Sequence, residues 1–476
     1  MSLTAISPID GRYSSKTNNL SPFFSEKALM QYRIFTEINY LLLLSEENIG
    51  IRKITDVERN ILLNLHNIAD EEAEIIKKIE TKGYKEIPAT NHDVKAIEYF
   101  IKLKLTETSL VDVLEIVHFA LTSEDVNNIS YALMIRDGFN KIIFPSIIDI
   151  YDRLYKISVD YKDLSMLART HGQPATPTTF GKEILVFVNR LKEEMKCVFN
   201  IPLLAKLNGA TGNYNAHSVV FPNINWQEFT KKLINKLNLV EFQIPKYCKK
   251  LPLILEFNKV TTQIEPHDCL ARLFDSVKRI NNILIDFSQD MWRYISDNWI
   301  KQKPVKGEIG SSAMPHKVNP IDFENAEGNF GVANALFTFF SQKLAISRLQ
   351  RDLTDSTVLR NIGVAFAHSL IAYQSLQKGL SKIEVDKDTI LNYLNNNPEV
   401  MAEAYQNILR VEGVEKPYEL LKEITRGKKV TIDDFHSLAK KLIIKEETKQ
   451  RLLAITPQSY TGIANKIVEE FEPEIN

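Results

Sequence analysis

Glycine is scarce in this chain, 17 in 476 residues, about half the usual share of roughly 7%. Leu, Ile, Lys and Glu are abundant in its place, a composition that favours helix. Cysteine is nearly absent. The three present, Cys197, Cys248 and Cys269, lack metal-ligand spacing and are too few and odd in number for a disulfide framework, so a reducing compartment fits. Charge of one sign is missing as well. Lys plus Arg number 59 against 60 Asp plus Glu, and a net charge of -1 gives no reason to expect nucleic acid or an acidic membrane as partner. The opening MSLTAISPIDGRY has no basic stretch followed by an apolar run, so no secretory signal is read. The longest uncharged run of interest, Asn361 to Gln377, contains Asn, His, Ser and Gln and falls short of the roughly 20 residues of a spanning helix. A buried helix and a cytoplasmic protein are expected. Convincing period-two alternation and internal repeats are also lacking.

What remains is helical periodicity. Val94, Ile97, Phe100 and Ile101 share one face. Val113, Leu114, Val117, Ala120 and Leu121 form a stripe, and Ile184, Phe187, Val188, Leu191, Met195 and Val198 form another. Val364 to Leu376 is apolar nearly all round, as at the centre of a bundle. The length suggests roughly two to four domains. The expected division is a mostly helical 1–111, a long-helix bundle over 112–384, and a small, more charged helical 385–476. The stretch 240–258 mixes prolines, basic residues and an apolar patch, and fits a packed loop, a short strand pair or an insertion equally.

Polar islands punctuate the helical runs. Ser7-Pro8-Ile9-Asp10-Gly11 is a turn leading into Arg12 and Tyr13. Thr90-Asn91-His92-Asp93 precedes a helix; Thr90 or Asn91 serves as its N-cap, and a helix start is also an anion site. Thr122-Ser123-Glu124-Asp125 has capping-box spacing, with hydroxyls that could equally bind a carboxylate. Arg169-Thr170-His171-Gly172-Gln173-Pro174 offers His171, whose ordinary pKa near 6.5 suits a general acid. Thr261 to Asp268 is polar and includes Gln263. Ser347 to Arg360 places Arg348, Arg351 and Arg360 within one short run, either a solvated face or clamps for phosphate or carboxylate.

The most informative stretch is Gly307 to Asn325, GEIGSSAMPHKVNPIDFEN. Glycines allow close backbone approach to a ligand, and Pro315 and Pro320 stiffen the part carrying His316, Lys317 and Asn319. GSSAMPHKVNP resembles the signature segment of the fumarase/aspartase superfamily, lyases that eliminate fumarate from a succinyl group. TSEDVNN and RTHGQPATP occur in the order and spacing of that superfamily's other shared segments. Fumarases and aspartases usually have Gly where His316 stands, and argininosuccinate lyases Gln. With NHDVKAIEYF and RDLTDSTVLRN added, the chain resembles the adenylosuccinate lyases in their long bacterial-type form from about Leu3 to Asp433, departing near 240–256.

The resemblance implies an all-α, three-domain fold with a central long-helix bundle, no cofactor and no metal. It also implies a homotetramer whose active sites are shared between chains. Elimination of fumarate from adenylosuccinate and from succinylaminoimidazole carboxamide ribotide is the implied activity. It assigns Ser311 as general base, His171 as general acid, Lys317 as the cation for the intermediate, and Glu324 as the partner orienting His171. Arg12, Tyr13, Arg351, Ser356, Thr357 and Arg360 are implied at the nucleotide end. Asn91, His92, Asp93, Thr122, Ser123 and Gln263 would line the pocket, and Asn319 and Asn325 would meet the succinyl part with Lys317. Alternative readings are another fumarate-releasing lyase, such as argininosuccinate lyase, or a non-catalytic structural relative. The intact set of Ser311, His171, Lys317 and Glu324 argues against a mere scaffold.

Overall fold

The computed structural model describes residues 3–303, 314, 317–425, 427 and 430–476. Helices dominate, as expected. Ser123–Gly138, one π-helical turn over Phe139–Ile143 and Phe144–Asp160 form a near-continuous rod. Every residue from Glu124 to Gly138 is buried, so this rod lies at the centre. Phe180–Val198 and Ile362–Lys382 pack against it, and Asp268–Ser296 and Ile321–Lys343 pack on those two, respectively, and on each other. The 184–198 stripe is buried on the Phe180 helix, and most of Ala365–Leu376 is buried as the uniformly apolar pattern requires.

Among the described residues apolar side chains gather in one large central cluster, two satellites and a small group of Leu167, Leu394 and Val400. The helix Glu26–Glu46 serves two of them. Tyr40 and Leu44 face the central cluster, while Ile34, Ile38 and Leu41 join Ile97, Phe100 and Ile101 in the first satellite. The second satellite holds Met401, Tyr405, Phe435 and Leu452. The end of the chain returns to the central cluster: Val468 and Ile475 are buried there, and Tyr151 donates to the Pro473 carbonyl at 2.8 Å. We propose the 1–111, 112–384 and 385–476 division, with Val385, Ile390, Leu394, Val400 and the final dozen residues packed against the middle part.

Three local expectations are corrected. The stripe from Val113 to Leu121 is not an α-helix: a 3₁₀ segment, Val111–Ile116, gives way to left-handed backbone at His118 (φ 64°) and Ala120 (φ 56°). His118 is pulled out of any helical path by Glu37, at 2.5 Å from its Nδ1. The N-cap of Asp93–Leu105 is His92, neither Thr90 nor Asn91; its Nδ1 accepts from the Lys95 amide at 3.3 Å. Short strands also exist. Ser165–Thr170 pairs antiparallel with Gln173–Thr179, and Leu203–Ala205 runs parallel to Leu255–Phe257. That second pair settles 240–258 as a packed segment ending in a strand, with Tyr247 and Lys246 both on Asp152.

Candidate active site

The opening turn places Arg12 and Tyr13 in a cleft of about 940 Å³ with Asn325 and Ser375. Asn325 Nδ2 donates to the Tyr13 hydroxyl at 3.2 Å, and Ser375 Oγ donates to Asn325 Oδ1 at 2.8 Å. The bond from Asn325 stabilises the phenolate and lowers the Tyr13 pKa against the opposing effect of burial. The amide orientation of Asn325 is therefore set by two partners.

A second group forms at the start of the Asp93 helix. Asp93 Oδ2 accepts from Arg33 Nη2 and from Arg360 Nη2, each at 2.7 Å. Burial alone would raise the Asp93 pKa; the two guanidiniums overcome it and hold the carboxyl at about 2. Arg33 is 4% exposed in its side chain, whereas Arg360 is 44% exposed. Arg360 is therefore an accessible cation braced from behind. Beside it, His92 Nε2 lies 3.3 Å from Ser123 Oγ. The Thr122 amide donates to Asp125 Oδ2 at 2.9 Å, so the capping reading of Thr122 stands. Asn91 is exposed, in left-handed backbone at φ 45°.

Gln263 and Arg351 meet in a third group. Arg351 Nη1 donates to Gln263 Oε1 at 3.3 Å, and Arg351 Nη2 pairs with Glu124 at 3.1 Å. Asn127 joins this group to the second, donating to Glu124 Oε2 at 3.4 Å and accepting from Arg33 Nε at 2.9 Å. Arg360, Asp93, Arg33, Asn127, Glu124, Arg351 and Gln263 thus form one continuous polar chain. Ser356 and Thr357 lie on the short helix Thr354–Leu359 next to it, Thr357 exposed and Ser356 half-buried.

The residues assigned to the elimination itself are not gathered. His171 sits exposed at the tip of the 165–179 hairpin, in a two-residue turn with φ 54° followed by Gly172 at φ 75°. That turn favours glycine at its second position and matches the twist of the strands. Among the described residues His171 has no hydrogen-bond partner. Glu324, near the start of Ile321–Lys343, accepts from Trp292 Nε1 at 3.1 Å and makes no contact with His171. Lys317 is exposed, with its amide on the Met314 carbonyl at 3.1 Å, and Asn319 is half-buried. Ser311 and His316 lie outside the described residues.

Sequence reasoning missed Arg33, and assigned no role to Glu124, Asn127, His267 or Asp355, which the fold buries together. Arg33 gives one local hint, a lone cation in the apolar run of its helix. Glu124, His267 and Asp355 each present one ligand-type atom within 4.8 Å of the others. Arg351 already neutralises part of this cluster, so it reads as an ion-pair network.

The helical fold and the match of residues 11–333 to a lyase family model define a lyase of the fumarase/aspartase class. The folds of a fumarate lyase from a Mesorhizobium species (TM-score 0.71, 16% identity, 95% of this chain and 96% of that one) and of the 3-carboxy-cis,cis-muconate lactonizing enzyme from Pseudomonas putida (TM-score 0.68, 19% identity, 96% and 97%) are similar. Residues 11–333 match the family model "Lyase", and residues 347–461 match "Adenylosuccinate lyase C-terminal". The chain is 47% identical to the adenylosuccinate lyase of Haemophilus influenzae, over 98% of both chains. It is 45% identical to that of Escherichia coli K12, over 99% of both. The chain belongs to the adenylosuccinate lyase family.

Proposed function

We infer that this protein is a carbon–nitrogen lyase that eliminates fumarate from adenylosuccinate, leaving AMP, and from succinylaminoimidazole carboxamide ribotide, leaving the carboxamide ribotide, in purine biosynthesis. The observation that carries this is identity of 45–47% along nearly the whole chain with adenylosuccinate lyases. The geometry adds the braced cations: Arg360 held on Asp93, and Arg351 held on Glu124, are suited to a nucleotide's anionic oxygens, which guanidinium binds in fixed directions.

In the mechanism we propose, Ser311 removes a proton from the carbon next to a succinyl carboxylate. The electron pair moves onto that carboxylate, where Lys317 and Asn319 offset the charge. The C–N bond then breaks with its electrons going to nitrogen, which takes a proton from His171. Glu324 orients His171. Within one chain the two do not touch, and His171 projects into solvent from a hairpin, which supports completion of the site by other copies. Half-exposed apolar side chains on the bundle helices, including Trp292, Val332 and Phe339, give such copies a surface to cover. We propose a homotetramer, working in the cytoplasm; among the described residues no helix is long and apolar enough to cross a membrane.

The test is His171→Ala with adenylosuccinate as substrate. Turnover should fall by about 100-fold or more with the far-ultraviolet dichroism unchanged, the scale for a lost general acid. Unchanged turnover removes His171 from the chemistry. No turnover by the wild-type protein removes the substrate assignment.

A further inference from the structure

His267 is a buried histidine that the elimination does not use. It stands at the start of the Asp268–Ser296 helix in left-handed backbone, φ 63°, with 4% of its side chain exposed. Three carboxylates from three parts of the chain converge on it. Glu265 Oε2 lies 3.8 Å from its Nδ1, Asp355 Oδ2 lies 3.9 Å from its Nε2, and Glu124 is within 4.8 Å. Glu124 and Asp355 are 2% and 6% exposed. A non-glycine residue keeps positive φ at a buried position when its surroundings over-determine it. The cluster is therefore a built one.

From the cluster a chain of polar contacts leads to Gln263, which the proposed function places at the substrate. Glu124 holds Arg351, Arg351 holds Gln263, and Gln263 Nε2 donates to the Ala210 carbonyl at 3.2 Å. The Arg351 side chain is 16% exposed, more than the 2% of Glu124 behind it. The carboxyls of Glu124, Glu265 and Asp355 and the guanidinium of Arg351 surround the imidazole; burial raises the pKa of Glu124 against the pull of Arg351. Two other groups adjoin, Cys269, whose Sγ lies 3.7 Å from Glu265, and Asp268 on the solvent side. Burial opposes a charge on His267, but Asp355, Glu265 and Glu124 outweigh it and raise the pKa. An imidazolium keeps Arg351 from being shared among three carboxylates. A divalent cation in its place would require a neutral imidazole and would face the Arg351 guanidinium.

We propose that His267 is a positioning residue for the nucleotide half of the substrate: set between Glu265 and Asp355, it holds Glu124 in place by its charge, and through Glu124 it sets Arg351 and Gln263. The proposal rests on the lyase reading above.

The experiment compares wild type, His267→Asn, His267→Gln and the double variant His267→Asn with Asp355→Asn, all full-length. Asn tolerates the left-handed backbone, and Gln retains length and an amide donor. Steady-state kinetics on adenylosuccinate are read together with product inhibition by AMP and by fumarate. In H267N the KM and the AMP inhibition constant should rise together by about 10-fold, the scale of one displaced charge-assisted hydrogen bond. The kcat and the fumarate constant should stay within about 3-fold of wild type. Asp355→Asn should return part of the loss, because it removes a carboxylate left without a counter-charge. A fall in kcat at constant KM overturns the proposal, and so do equal shifts for AMP and fumarate. Stoichiometric metal in the wild-type protein by plasma mass spectrometry also overturns it. If H267N fails to fold, H267Q carries the comparison; failure of both assigns His267 to the fold alone. Wild-type protein inactive on adenylosuccinate refutes the lyase reading, whereas active wild type with H267N kinetics unchanged refutes only the positioning role.

Discussion

Replacing Asp93 by Asn tests the bracing of Arg360 directly. Asp93 sits between two guanidinium nitrogens at 2.7 Å each, so those nitrogens are at most about twice that distance apart. At an effective dielectric near 20 such a pair repels by roughly 3 kcal/mol once the carboxylate is gone. The titration of Asp93 gives an independent figure. Its folded pKa is about 2, against about 3.9 in the unfolded chain, worth roughly 2.5 kcal/mol before screening of a side chain that is 25% exposed. Both routes lead to a loss of about 2 kcal/mol per chain for Asp93→Asn at neutral pH. The sign follows from a depressed carboxyl: the contribution is fully present above about pH 4 and is lost as pH falls through about 2.

Differential scanning calorimetry of wild type and variant from about pH 7 downward reads this as a deficit of a few degrees in Tm. The deficit should hold to about pH 4 and then narrow. Arg360→Ala in the same background should reduce the cost of Asp93→Asn, since one of the two repelling cations is gone. Three results would each refute the reasoning: equal stability at neutral pH, a deficit that persists undiminished in acid, or the same cost with and without Arg360. Loss of the brace should also raise the KM for adenylosuccinate, by about 10-fold if Arg360 contributes one charge-assisted bond.

Other predictions concern groups with one clear role. Lys206 and Asp125 are both fully buried and paired at 2.8 Å, so Lys206→Met should cost about 3–5 kcal/mol, seen as a lower Tm and soluble yield, with Asp125→Asn relieving part of it. His118 has a raised pKa because Glu37 outweighs its burial; its stabilisation is present below about pH 6.5 and lost as pH rises through the folded value. The stability gap between wild type and His118→Asn, a substitution compatible with its left-handed backbone, should therefore shrink from about pH 6 to about pH 9 in urea titrations. Tyr13→Phe removes the acceptor for Asn325 at the cleft and should raise KM by less than about 10-fold, with Tm unchanged.

Helix faces were legible because burial on one side imposes a 3.6-residue period, as on the Phe180 helix and the Asp93 helix. The His171 hairpin was not. A two-stranded ribbon with Pro174 and Pro177 in its second strand has little alternation to display, and only the His171-Gly172 pair marked its turn. The Thr122 island was legible for a local reason, a capping interaction with Asp125 three residues on. Arg33 was invisible for the opposite reason: its partner Asp93 is 60 residues away, and nothing local encodes that pairing. His267 gathers Glu124 and Asp355 from distant parts of the chain and was hidden in the same way. Long-range charge pairing is written in the fold and only indirectly in spacing.

The two halves of the site differ in how they are assembled, and this has a physical reason. A nucleotide presents fixed, multiply charged oxygens, and gripping them demands cations held at constant positions. In the proposed site Arg360 and Arg351 are the cations for that role, and within one chain Asp93, Arg33, Asn127 and Glu124 hold them in place. Buried carboxylates cannot be left without counter-charges, so the fold itself keeps the arginines in place. The groups proposed for the elimination face a different demand, since they must approach and leave the reacting carbon and nitrogen in each turnover. Among the described residues, His171 on an exposed hairpin tip and the exposed Lys317 form no ion pair with the core. In the proposed homotetramer their convergence would come from the association of copies, with the binding half built within one chain.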